Sequence, residues 1–339
     1  MPIFKSRQKL DLSYVPEKIL CRDREIQQTN LLLEGSGKAL ISGDIGTGKT
    51  LLARYVARNA AYINCFINKS EHAVLETALS KLRPNFNPAG MPSRKLWDQI
   101  PDGSFIILDE VEGILLDDLV HFLYTLSRRS EYGRKIKYIA ITRDAEILRQ
   151  MINDDATWST FAEKSVIHLK PYSRKEMVEI LEYRASEALR EGTFDREILS
   201  LIADVALESR GHMRTAIEVL RTSALIAEKN GQTRIEPENV REANLDTWVS
   251  DLNLLDRDHL LALLSVAAAC SGKAYVTMDE IKEQYAIKCE NYNMKPVDID
   301  ILMTRLENEG FIHRTNGTRY TILTPTNVLK REIERFLDQ

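Results

Sequence analysis

The run Gly43-Asp44-Ile45-Gly46-Thr47-Gly48-Lys49-Thr50 combines three glycines, a lysine and two hydroxyls at the G-x-x-x-x-G-K-[ST] spacing that lets a backbone curl around phosphate oxygens. Gly43, Gly46 and Gly48 permit the curl, so that the main-chain N–H groups around Thr47 and the N-terminus of a following helix face the phosphates. Lys49 then reaches the β and γ phosphates, and Thr50 offers its hydroxyl to Mg²⁺. The run lies directly after strand-like Ala39 to Ser42 and directly before helical Leu51 to Asn59, which is the context such a loop needs. A second mark follows about sixty residues later, where apolar Ser104 to Leu108 ends in Asp109-Glu110. Asp109 suits the ordering of Mg²⁺ and Glu110 the polarising of an attacking water, because phosphoryl transfer relies on positioning and charge neutralisation more than on covalent chemistry. A strand ending in two acids is common by itself. Its place after the phosphate loop, in the same inferred sheet, makes nucleotide hydrolysis the chemistry to expect.

Such a site needs a sheet to carry it. Ala39 to Ser42, Ala61 to Phe66, Phe105 to Leu108, Tyr138 to Thr142 and Val166 to Leu169 are short apolar runs separated by helix-length segments, the pattern of a parallel sheet with crossover helices. This predicts an α/β domain over 1–170. Beyond Pro171 the pattern turns helical, with helices at Arg174 to Arg190, Asp195 to Ser209 and Met213 to Asn230, so a small helical domain is expected over 171–247. In 248–339, helices at Asp256 to Ser271, Met278 to Lys288 and Val297 to Glu309 precede a hairpin with an Asn316-Gly317 turn between Phe311 to Arg314 and Arg319 to Leu323. Three helices and a hairpin predict a winged helix-turn-helix.

Composition narrows the partners. With 339 residues, 44% hydrophobic and 28% charged, the chain is long enough for two or three ordinary domains. Lys plus Arg number 46 against 50 Asp plus Glu, so contact with nucleic acid must come from a local patch. Cys21, Cys65, Cys270 and Cys289 form no C-x-x-C pair, which disfavours a zinc or dithiol site and favours buried free thiols. No run approaches the ~20 apolar residues of a membrane span, and Met1 to Leu10 is polar and basic; no membrane partner and a cytoplasmic setting are expected.

Several signatures together resemble one family. Tyr14-Val15-Pro16, Arg22-Asp23-Arg24-Glu25-Ile26, the phosphate loop, Tyr62-Ile63-Asn64-Cys65, Asp109-Glu110, Pro171-Tyr172-Ser173, Ile180-Leu181-Glu182-Tyr183-Arg184 and Gly211-His212-Met213-Arg214-Thr215-Ala216 occur in the order seen in the archaeal AAA+ initiators called ORC1-type DNA replication proteins. These are related to eukaryotic origin-recognition subunits and the cell-division-control helicase loader. The resemblance runs along nearly the whole chain and implies an AAA+ P-loop ATPase sheet, a helical lid and a C-terminal winged helix. It implies that ATP or ADP is bound with Mg²⁺, with Tyr14, Val15, Pro16 and Arg22 beside the adenine, and with Tyr172 and Arg184 contacting the nucleotide from the lid entry. Arg214 would be the second sensor, its fork gripping γ-phosphate oxygens. The implied partners are double-stranded origin DNA, the replicative helicase and paralogous initiators, in a nucleoid-associated setting.

The chain departs from the family in two places. Ile141-Thr142-Arg143-Asp144 stands where the family usually reads Ser-Asn-Asp, so Arg143 occupies the first-sensor position. The segment Asn153 to Phe161, which usually supplies an arginine to a neighbouring subunit, has none here. Slow turnover is expected, since an arginine finger is worth ~10³ or more in rate elsewhere.

In a winged helix the third helix and the hairpin approach DNA. Arg305 on the third helix is surrounded by Asp298, Asp300, Glu307 and Glu309, whereas 310–331 contains no acid and carries Arg314, Arg319, Lys330 and Arg331. Lys295, Arg305, Arg314, Asn316 and Arg319 are the candidate DNA contacts. A winged helix that binds protein instead is the alternative. The family's helical insertion corresponds to Glu71 to Ile100, where Lys81, Arg83, Arg94 and Lys95 are open to two readings, a second DNA contact or the commoner solvated charged face, while Arg128, Arg129, Arg134, Lys135 and Lys137 read as solvated surface. The rival functions are an ATP-dependent regulator or mobile-element AAA+ ATPase, and a nucleotide-gated interaction module without catalysis.

Overall fold

The computed structural model describes residues 2–132, 135–244, 249–315 and 317–338. They form two compact units, one comprising Ser13–Glu176 with Arg210–Met213, the other Met1–Leu12, Met177–Ser209 and Arg214–Gln339.

The first unit runs α1 (Asp23–Gly35), β1 (Lys38–Ser42), α2 (Lys49–Val56), β2 (Ala61–Asn64), α3 (Glu71–Leu82), α4 (Ser93–Gln99), β3 (Phe105–Asp109), α5 (Leu116–Tyr132), β4 (Lys137–Thr142), α6 (Ala145–Ile152), α7 (Asp155–Phe161) and β5 (Val166–His168). The strands make one sheet in the order β2-β3-β4-β1-β5, each neighbour parallel. Ala39-Leu40-Ile41 and Tyr138 to Ile141 are at most 1% exposed, because helices cover both faces and every position of a central parallel strand is buried. One core, with Leu75, Leu79, Trp97, Phe122 and Tyr138, lies on one face, and another, with Leu33, Leu52, Ile107 and Ile139, on the other. The five strands fall where the apolar runs place them. β2 stops two residues early because the Asn64 side chain accepts from the N–H groups of Phe66 and Ile67 and turns the chain. Both helices of the insertion, α3 and α4, pack inward, with Trp97 stacked on Phe122 at 5.6 Å.

This topology positions the site. β3, β4 and β1 are adjacent and parallel, so the segments leaving their carboxyl ends, at Glu110, Arg143 and Gly43, emerge side by side. That is where open α/β sheets bind ligands.

The second unit contains most of α8 (Arg174–Ala188), then α9 (Arg196–Glu208), α10 (Met213–Lys229) and α11 (Pro237–Ala243), followed by α12 (Arg257–Ala269), β6 (Val276–Thr277), α13 (Met278–Asn291), α14 (Ile299–Asn308), β7 (His313–Thr315), β8 (Arg319–Thr321) and α15 (Thr326–Leu337). α12 is buried from Leu260 to Ala267 and is the hub around which α13, α14 and α15 pack. Three elements lie outside the sequence-based expectation, the first being the short helix α11. β6 pairs with β8 and turns the hairpin into a three-stranded antiparallel sheet, and α15 closes the core with Leu329, Ile333 and Leu337 at i, i+4 and i+8. Asn316 at the hairpin tip and Arg134 of the basic run lie outside the described residues. Among the described residues no helix is long and apolar enough to cross a membrane, and all four cysteines are free, three of them buried.

Candidate nucleotide site and nucleic-acid interface

The phosphate loop closes on itself through Thr47, whose buried hydroxyl donates to the Asp44 carbonyl at 2.8 Å. Gly48 precedes α2 in the left-handed region at φ +90°, and Gly46 has φ +79°. A side chain at Gly46 would also place its Cβ 2.0 Å from the Gly211 carbonyl oxygen, so only glycine lets the Gly211-His212 turn pack against the loop. Lys49 opens α2, and its ammonium donates to the carbonyls of Gly43 and Asp44, within the curl. Burial lowers the Lys49 pKa, against the opposing attraction of Asp109, Glu112 and Asp44.

The acids meet the loop from β3. Thr50 Oγ1 donates to Asp109 Oδ2 at 2.8 Å, and the Tyr62 hydroxyl donates to the same oxygen at 2.7 Å. Burial and then the Asp109 charge push the Tyr62 phenol up to about 12. Glu110 adopts φ +56°, a left-handed conformation that turns its side chain off the strand. Its Oε2 accepts from Asn64 Nδ2 at 2.9 Å, and its Oε1 lies 3.3 Å from Arg143 Nη2. Glu112 Oε1 accepts from the Arg143 backbone N–H at 3.1 Å. Sequence reasoning missed Tyr62 and Glu112 as neighbours of the site. The signal for Tyr62 was the period of two: β2 pairs Asn64 with Asp109, which sets Tyr62, two residues back, on the same face.

A Thr50 hydroxyl on a buried carboxylate and an ammonium resting on loop carbonyls are the donor set expected for phosphate oxygens and a hard, oxygen-seeking cation, so the residues fit Mg²⁺-nucleotide.

Arg22 and Tyr172 are brought to the other side of the loop. The guanidinium lies 3.9 Å over the Tyr172 ring and donates to the carbonyls of Thr47 at 3.2 Å and Lys170 at 2.6 Å; both side chains are at least nine-tenths buried. The Tyr172 hydroxyl sits against Gly48. Nearby in sequence, Pro16 is buried, and Tyr14 and Val15 are half-buried. Arg184 and Arg214 belong to the second unit. Arg184 is buried and donates to the Lys9 carbonyl, and Arg214 is exposed near the start of α10.

The winged-helix cations are exposed or half-exposed, several of them with carboxylate neighbours. Arg305 lies 2.8 Å from Glu309 and 3.5 Å from Asp256, and Arg319 lies 2.7 Å from Glu197. Arg314 donates to the Gly317 carbonyl at 2.9 Å and lies 5.5 Å over Tyr320, while Lys295 is exposed. Glu197, Asp204 and Glu208 share one face of α9, being spaced by seven and four residues. Against this stripe lie Arg319, the Tyr275 and Thr315 hydroxyls on Asp204 at 2.6 and 3.4 Å, and His313 at 3.4 Å from Glu208. In the insertion, Lys81 donates to the Tyr62 carbonyl and Arg83 to Gln99 at 2.8 Å, while Arg94 and Lys95 are exposed.

Residues 39–159 match the model of the ATPase family associated with various cellular activities (AAA), and residues 178–245 that of the Cdc6 AAA+ ATPase-type lid domain. ORC1-type DNA replication protein 1 of Methanosarcina acetivorans is 28% identical over 89% of this chain and 80% of its own length. Its counterpart from Archaeoglobus fulgidus is 27% identical over 92% and 84%. The crystal structure of Cdc6p from Pyrobaculum aerophilum superposes with a TM-score of 0.87 at 26% identity, covering 99% of both chains. The α/β sheet, helical lid and C-terminal winged helix expected from the sequence are thus the arrangement of known proteins, and along nearly its whole length this chain is similar to the ORC1/Cdc6 type of AAA+ protein.

Proposed function

We propose that the chain is a nucleotide-switched replication initiator: it binds ATP or ADP with Mg²⁺ in 1–170, carries a lid over 171–247, and binds double-stranded origin DNA through 248–339. Bound to DNA, alone or beside paralogous initiators, it helps recruit or load the replicative helicase, in the cytoplasm at the nucleoid. The observation that carries the nucleotide half is the Thr50–Asp109 contact beside Lys49 and the curled loop. Lys49 would hold phosphates, with Gly43, Gly46, Thr47 and Gly48 lending backbone N–H groups. Thr50 and Asp109 would order Mg²⁺, which supplies charge neutralisation at the phosphates. Glu110 would orient water, Arg22, Tyr172, Tyr14, Val15 and Pro16 would wall the base, and Arg184 and Arg214 would contribute from the lid. Slow hydrolysis makes the bound nucleotide a switch. Support for the partners comes from relatives: Aeropyrum pernix ORC1, of the same fold, is known in complex with DNA, and its ORC2 in ADPNP-ADP complexes.

The experiment is duplex binding across a salt series with ATP or ADP present. The Arg314→Ala/Arg319→Ala protein is expected to bind origin duplex more weakly, with a salt slope shallower by up to ~2, one for each lost phosphate contact. Equal and weak binding of both proteins to origin and random duplex would favour a protein-binding winged helix.

The acidic stripe of α9 makes a complementary case. Glu197 competes with phosphate for Arg319, so Glu197→Gln is expected to tighten duplex binding about threefold at low salt, as for one exposed ion pair. No gain in affinity would remove Arg319 from the DNA contacts.

A further inference from the structure

We infer that Arg143 is a brake on hydrolysis: it acts as a positioning residue whose guanidinium adds a charged hold on Glu110, beyond the one Asn64 gives, and keeps it in a resting orientation. The inference rests on the reading that Glu110 orients the attacking water. A carboxylate suited to that task keeps an oxygen and its charge directed toward the water. Here both oxygens are engaged by side chains, Oε1 by the Arg143 guanidinium at 3.3 Å and Oε2 by the Asn64 amide at 2.9 Å. Arg143 is itself held in place. Its backbone N–H donates to Glu112, fixing the exit of β4, and its guanidinium lies 5.6 Å from the centre of the Phe66 ring on the turn that Asn64 makes after β2. The clamp therefore spans the ends of β2, β3 and β4. Arg143 also borders the phosphate loop: burial is the main cause of the low Lys49 pKa, and the Arg143 charge adds to the lowering. An asparagine at 143, the residue the family usually carries, has no charge with which to hold the glutamate.

The test is steady-state ATP turnover and nucleotide affinity of the full chain for wild type, Arg143→Gln, Arg143→Lys, Glu110→Gln and the double variant Arg143→Gln/Glu110→Gln. Arg143→Gln is expected to raise kcat about fivefold, the most a half-exposed ion pair supplies, while ATP and ADP affinities stay within about twofold. Arg143→Lys, which keeps the charge without the fork, should remain near wild type. In the Glu110→Gln background the Arg143→Gln gain should vanish, which ties it to the pair rather than to general loosening. Turnover unchanged or lowered by Arg143→Gln with the protein folded and nucleotide bound would overturn the brake, and a simultaneous loss of ATP affinity would make Arg143 a phosphate ligand instead. Should Glu110→Gln alone leave wild-type turnover intact, the role of Glu110 fails, and the brake with it; a Glu110→Gln loss without an Arg143→Gln gain overturns the brake alone.

Discussion

Replacing Glu110 with glutamine is expected to lower ATP turnover by about 10²- to 10⁴-fold, the range for removing a positioned general base, while leaving nucleotide binding close to wild type. The split follows from where the groups sit. On the proposed reading, phosphate and cation contacts would fall to Lys49, Thr50 and the loop N–H groups; Thr50 is tied to Asp109, not to Glu110. Glu110 stands apart, turned off the end of β3 by a left-handed backbone that costs ~1 kcal/mol, a strain typical of functional positions. Glutamine keeps the size of the side chain and an acceptor for Asn64, but it has no charge with which to polarise water. The measurement is phosphate release at saturating ATP beside the affinity for a fluorescent nucleotide. Turnover unchanged by the substitution would take hydrolysis away from Glu110.

The sheet and the loop were legible because their signals are local. The sequence from Ala39 to Thr50 states strand, turn and helix in one continuous stretch, and the apolar strands needed only their own composition. The winged helix was legible in its three helices and Asn-Gly hairpin, but α15 was not. Its Leu329, Ile333 and Leu337 stripe alternates with Lys330, Arg331 and Glu334, so the charges mask the period. β6 is two residues long and exists through its pairing with β8, which no local pattern announces. Within the candidate site, Asp109 and Glu110 stand out by position in the sequence, whereas the contacts of Glu110 with Asn64 and Arg143 depend on strand order. Residues 64, 110 and 143 are far apart in the chain and meet only because β2, β3 and β4 are neighbours.

Arg241 is the clearest residue of this second kind, and its loss carries the largest expected effect on stability. In sequence it is one charge on a short polar helix. In the structure it is wholly buried, and its guanidinium donates to the carbonyls of Ile322 at 3.0 Å, Cys270 at 3.2 Å, Lys273 at 2.7 Å and Ala274 at 3.4 Å, and to Glu238 at 2.7 Å. One rigid fork thus satisfies the turn that follows α12 and the strand exit after β8, and joins both to α11. Arg241→Met fills much of the volume but removes all five guanidinium contacts: Glu238 keeps Thr326 but loses its cation, and the Cys270, Ala274 and Ile322 carbonyls are left with the Lys273 N–H and the Thr321 hydroxyl. A cost of about 3–5 kcal/mol is expected, or roughly 10 °C in the unfolding midpoint of this unit. Arg241→Lys, which brings a point charge in place of a fork, should fall between. A second readout reports the turn itself: burial pushes the Cys270 thiol up to about 11, so loosening its surroundings should speed its reaction with a thiol reagent. A midpoint within about 2 °C of wild type, with Cys270 still protected, would show that water or a repacked side chain serves those carbonyls as well as the guanidinium does.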